Sequence, residues 1–178
     1  MRSILLPAAM LALLTLASGC ATVPVTGRTQ INMIPDGQLN TLSLDAYRKV
    51  LGESKLSTDP VAVETVRDVG QRLAQATESY MSAIGQPISY QWEFNVIEAD
   101  TVNAWCMPGG KVAVYTGILP ITQTDTGLAV VMGHEIAHAL ARHGNERMSQ
   151  ALMLQLGGAT LNAALSSRPE QTRNLFTG

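Results

Sequence analysis

Apolar and polar positions change their period several times along the chain. From Asp36 onward, Leu39, Leu42, Ala46, Tyr47 and Val50 share one face of a 3.6-residue period, which predicts an amphipathic helix. "STDP" then offers a second helix start, with Asp59 as cap and Pro60 in the first turn. Val66, Val69, Leu73 and Ala76 form the expected buried stripe of that helix. In "ISYQWEFNV" the period drops to two: Ile88, Tyr90, Trp92, Phe94 and Val96 alternate with polar residues, as in a half-buried strand. A second strand, "KVAVYTG", follows "PGG", and Gly109 with Gly110 predicts a hairpin joining the two. From Thr126 to about Ala141 the chain reads as a largely apolar helix, capped by Thr124 or Asp125. Another helical stretch runs from about Glu146 to Leu165.

These elements predict an α+β fold, mainly helical, with a small antiparallel hairpin sheet. At 178 residues the chain is long enough for one domain with a real core. A formal charge of −2 with no basic stripe argues against nucleic acid as a partner.

The N-terminus has a different character. Arg2 precedes the apolar run "ILLPAAMLALLTLA", and small residues lead to Cys20. A charged start, a short apolar stretch and a small-residue exit describe a secretory signal. The run, interrupted by Pro7, falls short of the roughly 20 apolar residues of a membrane span. "LASGC" also resembles a bacterial lipobox, which implies cleavage before Cys20 and lipid attachment there. Ala21, where an aspartate would favour inner-membrane retention, points to an outer-membrane anchor facing the periplasm. The expected organisation is a signal peptide over 1–19, a lipid-anchored tether over 20–35 and the main folded domain over 36–178. With Cys20 lipidated, Cys106 has no partner within the chain for a disulfide.

The candidate chemistry lies in "MGHEIAHAL". Residues four apart share a helix face, so His134 and His138 can both point at one ion, and neutral imidazoles suit zinc. Glu135 sits roughly 100° round the helix, where it can miss the metal yet reach a water held there and take its proton as general base. Three polar groups inside so apolar a helix are costly to bury without such a role. His143 does not fit the spacing of a metzincin third histidine. On a continuing helix it would point well away from His138, giving it a supporting or surface role.

The longer stretches "VMGHEIAHALARHGNERMS" and "NAWCMPGGKVAVYTGIL", with "PVTGRTQINMI" upstream, resemble the gluzincin peptidases of family forty-eight. That family includes CAAX prenyl proteases and periplasmic lipoproteins. The resemblance implies a zincin-like domain with one zinc per subunit, ligands His134 and His138, and Glu135 as base. It also implies that the strand running through Gly109, Gly110, Lys111, Val112, Ala113 and Val114 is the edge against which a peptide substrate lies. An unpaired edge beside a metal can bind a peptide backbone whatever its sequence.

The family's third ligand is a glutamate on a later helix. Glu146 is too close in sequence, and Glu170 follows Arg168-Pro169 without a helical context. The expectation is therefore a domain incomplete at its C-terminus, binding zinc weakly. Cys106 reads as a small buried residue at a strand end; the sharper alternative is a thiolate reaching the metal in a latent state. The function so implied is a zinc metalloendopeptidase acting on unfolded or misassembled envelope proteins. The alternative is a non-hydrolytic lipoprotein that binds such clients as a chaperone.

Overall fold

The computed structural model describes residues 20–165, apart from 24 and 26. The signal-peptide reading and Glu170 lie outside the described residues.

Two short strands, β1 (Cys20–Thr22) and β2 (Thr29–Ile31), pair antiparallel. Helices α1 (Asp36–Glu53) and α2 (Pro60–Ala83) follow. Strands β3 (Glu93–Ile97), β4 (Ala104–Met107) and β5 (Lys111–Tyr115) come next. A 3₁₀ turn (Thr116–Ile118) and the single-turn α3 (Leu119–Thr122) lead into α4 (Asp125–Leu140) and α5 (His143–Leu165).

Helix starts follow their local chemistry. Asp59 accepts a hydrogen bond from the Val61 N–H at 3.0 Å, with Pro60 in the first turn where its missing N–H costs nothing. Thr124 caps α4 by accepting from the Gly127 N–H at 3.1 Å.

The sheet differs from the predicted hairpin. Its strand order is β3-β5-β4: β3 runs parallel to β5, and β4 runs antiparallel to it. The glycine turn therefore joins β4 to β5, not "ISYQWEFNV" to β5, and "AWCM" is the partner that the alternation does not reveal. Pairing of the first strand begins only at Glu93. Upstream of it Tyr90 and Trp92 form an aromatic run with Phe94, Trp92 and Phe94 stacking with centroids 6.1 Å apart. Gly110 is held at φ 82°, where a Cβ would also meet the Trp92 ring at 2.8 Å, so the turn needs glycine on two counts.

The sheet has unlike faces. Phe94, Val96, Ala104, Val112 and Val114 face one side, packing with Val66 and Val69 of α2 and with Leu128, Met132 and Ile136 of α4. Gly70 lets α2 approach the Phe94 ring, which a Cβ there would meet at 2.4 Å. On the other face, Tyr47 of α1 lies edge-on to Trp105, centroids 5.7 Å apart, and its hydroxyl accepts from Asn95 at 2.8 Å. The stripe on α1 is accordingly Leu39, Ser43 and Tyr47, while Leu42 stays largely exposed. On α2, Val66 and Val69 are buried as predicted, and Ala76 is exposed.

The strand pair and the residues after it dock on α5. The Met33 N–H donates to Ser149 Oγ at 2.9 Å, and Asn145 Nδ2 donates to the Ile34 carbonyl at 2.8 Å. Asn145 and Ser149 are fully buried, as polar groups can be when they are paired. No helix among the described residues is long and apolar enough to cross a membrane.

Candidate active site

Helix α4 places its buried stripe, Leu128, Met132, Ile136 and Ala139, against the sheet. The opposite side carries the polar motif. His134 is exposed, and Glu135 and His138 are half-buried. This corrects the expectation that three polar groups sit inside an apolar environment: the helix is apolar on its inner side, and the motif looks outward over a cleft. Glu135 lies angularly between the buried stripe and the histidine pair, beside β4.

The two imidazoles converge. His134 Nε2 and His138 Nε2 stand 2.9 Å apart with the rings near perpendicular, at 88°. Two ring nitrogens turned onto one point form a donor pair suited to a single zinc ion, as the i, i+4 spacing predicts. Among the described residues no group of three or more His, Cys, Asp or Glu side chains could hold a metal ion. Glu146 is engaged elsewhere. Arg28 grips its carboxylate through both terminal guanidinium nitrogens, Nη1 donating to Oε1 at 3.0 Å and Nη2 to Oε2, and this hydrogen bonding holds the Glu146 carboxyl below the usual carboxylate range.

His143 stands where sequence periodicity does not put it. The helix ends at Leu140 with Ala141 as its C-cap, and Arg142 adopts φ 55°, the left-handed region, so the chain turns before α5 begins. The turn brings His143 Nδ1 to 2.5 Å from His138 Nδ1 instead of pointing it away. Burial and the neighbouring His138 push the His143 pKa below its ordinary value, favouring the neutral ring. A non-glycine residue at positive φ leaves no mark in a hydrophobic pattern, which is why periodicity misses this contact.

The cleft beside the histidines has a volume of about 560 Å³ and is lined by Trp105, Cys106, Met107 and Pro108 of the β4 segment and by Glu135, His138 and His143. A groove of similar size, about 590 Å³, on the outer face of α2 is lined by Glu64, Asp68 and Arg72 and holds none of the motif. Burial pushes the Cys106 thiol up to about 12, with the nearby Glu135 charge adding to the effect. Such a thiol stays protonated unless a bound metal displaces its proton, and Cys106 itself is half-buried in the cleft wall.

The strand expected as the substrate edge is not an edge. β5 is the central strand, paired on both sides, and Val112, Ala113 and Val114 are fully buried. Lys111 is buried too, its ammonium donating to the Gln91 carbonyl and to Glu93. Gly109 and Gly110 make the turn. The outer edge of the sheet on the histidine side is β4, which packs against α4.

A helix that presents His-Glu-x-x-His beside the edge of a small sheet defines the class of metal-dependent peptidases with a zincin-like domain. The model of Peptidase family M48 matches residues 67–176, and the chain belongs to that family. Among its relatives is the mitochondrial metalloendopeptidase OMA1 of Schizosaccharomyces pombe, 34% identical over 127 residues, covering 71% of this chain and 36% of that protein. OMA1 of Saccharomyces cerevisiae is 45% identical over 73 residues, covering 40% of this chain and 21% of that protein. The beta-barrel assembly-enhancing protease of Escherichia coli is 27% identical over 127 residues, covering 71% of this chain and 24% of that protein. The chain thus spans about a third or less of the length of these relatives.

Proposed function

We propose that the chain is a zinc-dependent metalloendopeptidase whose substrates are unfolded or misassembled envelope proteins. The observation that carries this reading is the convergence of His134 and His138 Nε2 at 2.9 Å with Glu135 beside them, over an open cleft. Family membership and the metalloendopeptidase activity named for the relatives support it. His134 and His138 would hold the zinc ion, which when bound supplies Lewis acidity and makes water a nucleophile near neutral pH. Glu135 holds and moves protons. Its carboxylate takes one from the attacking water and delivers it to the departing amine nitrogen.

The substrate backbone would lie along β4. Tyr115 N–H donates to Asn103 O at 3.0 Å, so by antiparallel alternation Trp105 and Met107 pair inward, and Ala104 and Cys106 direct their N–H and C=O groups to the free edge. Main-chain pairing on that edge accepts many sequences, provided that the segment is extended and accessible, which is a property of unfolded protein. The full chain is expected to cleave an unstructured substrate such as casein. A chelator should stop the reaction and added zinc should restore it. The second reading is client binding without hydrolysis. Zinc-restored cleavage contradicts it; casein binding without cleavage at saturating zinc contradicts the first.

Anchoring is a separate part of the proposal. The lipobox resemblance at Leu16–Cys20 supports lipidation of Cys20 and attachment to the bacterial outer membrane on the periplasmic side. Mass spectrometry of native protein should find a diacylglycerol-modified Cys20 as the first residue, and Cys20→Ser should abolish membrane fractionation. An unmodified Cys20 in the native protein contradicts the anchor.

A further inference from the structure

We propose that His143 is the positioning residue for His138: its Nδ1 lone pair accepts a hydrogen bond from the His138 Nδ1–H and so fixes the His138 tautomer. The proposal rests on the zinc reading above. A neutral imidazole has one N–H and one lone pair. His138 Nε2 faces His134 Nε2 at 2.9 Å, so Nε2 is the nitrogen whose lone pair serves the shared point. The proton of His138 is then on Nδ1, and this atom meets His143 Nδ1 at 2.5 Å. The rings are tilted by 56° with centroids 4.8 Å apart, an arrangement of neighbours in line and not of stacked faces. His143 must then carry its own proton on Nε2.

Metal-binding histidines ordinarily donate their second N–H to a carboxylate, a backbone carbonyl or water, which orients the ring and raises its basicity. Here another imidazole takes that place. It touches His138 at the ring edge away from Nε2, so it supports the ligand without sharing its ion. The backbone is shaped for this contact: the left-handed Arg142 ends one helix and starts the next, delivering His143 as the first residue of α5. Its neighbour Arg142 is held by Asp36 at 2.8 Å, which ties the turn to the start of α1.

The test compares zinc binding, read by chelator competition, in the full chain and in three variants. His143→Ala is expected to weaken zinc binding ~10–100-fold, the usual effect of removing such a support. His143→Asn, whose Oδ1 falls close to the position of Nδ1 and can accept the same proton, should restore most of the affinity. Nitrogen-15 correlation spectra of the zinc-loaded chain should show His138 protonated on Nδ1 and His143 on Nε2; a role in packing alone would not require either state. His134→Ala reports on the zinc site itself. Loss of zinc in His134→Ala with unchanged affinity in His143→Ala overturns the positioning role and leaves the site standing. So does a spectrum with the His138 proton on Nε2. Equal zinc binding by the wild type and His134→Ala overturns the zinc reading, and the positioning role with it.

Discussion

Glu135→Gln is expected to lower peptide hydrolysis by ~10²–10⁴-fold, the usual contribution of a general base, while zinc remains bound. The substitution keeps size and shape but removes the group that takes a proton. Glu135 is half-buried on the flank of α4 between the packed stripe and the histidines, facing the β4 side of the cleft. Glu135 and Cys106 line the same cleft, beside the sheet edge where a substrate strand would lie. It is not part of the converging nitrogen pair, so zinc affinity should hardly move. Unchanged turnover would remove Glu135 from the mechanism. Loss of zinc together with turnover would show that Glu135 holds the metal.

Met132→Ala should destabilise the fold by ~2–5 kcal/mol, the range for emptying a buried methionine site. Met132 is fully buried at the centre of the cluster that joins α4 to α2 and to the sheet. It lies one turn before Ile136 on the stripe that holds the motif helix in place. Domains of this size have total stabilities of roughly 5–15 kcal/mol, so the loss would take a large share and should shift the urea midpoint plainly. A change below about 1 kcal/mol, the scale of a surface substitution, would show that α4 is not anchored through this residue.

The part of the site that lies on one helix is legible in the sequence. His134, Glu135 and His138 are related by helical geometry alone, and the Thr124 cap with its apolar run marks where that helix begins. The caps at Asp59 and Thr124 are legible for the same reason, being local. Features that depend on tertiary contacts are not. Alternation from Ile88 to Val96 reports which side chains face inward, not which residues pair, so it overextends β3 and cannot tell parallel from antiparallel. β4, at four residues, is too short for its period to stand out, and without it β5 passes for an edge. The docking of residues 20–35 depends on Asn145 and Ser149, two polar side chains buried on α5 because their partners come from more than a hundred positions away. The His138–His143 contact depends on a single positive φ at Arg142.

On the proposed function, His134 and His138 together hold one zinc ion. The most direct measurement is a zinc titration of the metal-free full chain beside His134→Ala and His138→Ala, with circular dichroism confirming that all three are folded. One equivalent is expected to bind to the wild-type chain and to be lost in either variant, because each ring supplies one of the two nitrogens that meet 2.9 Å apart. Equal zinc binding by the wild type and both folded variants would contradict it.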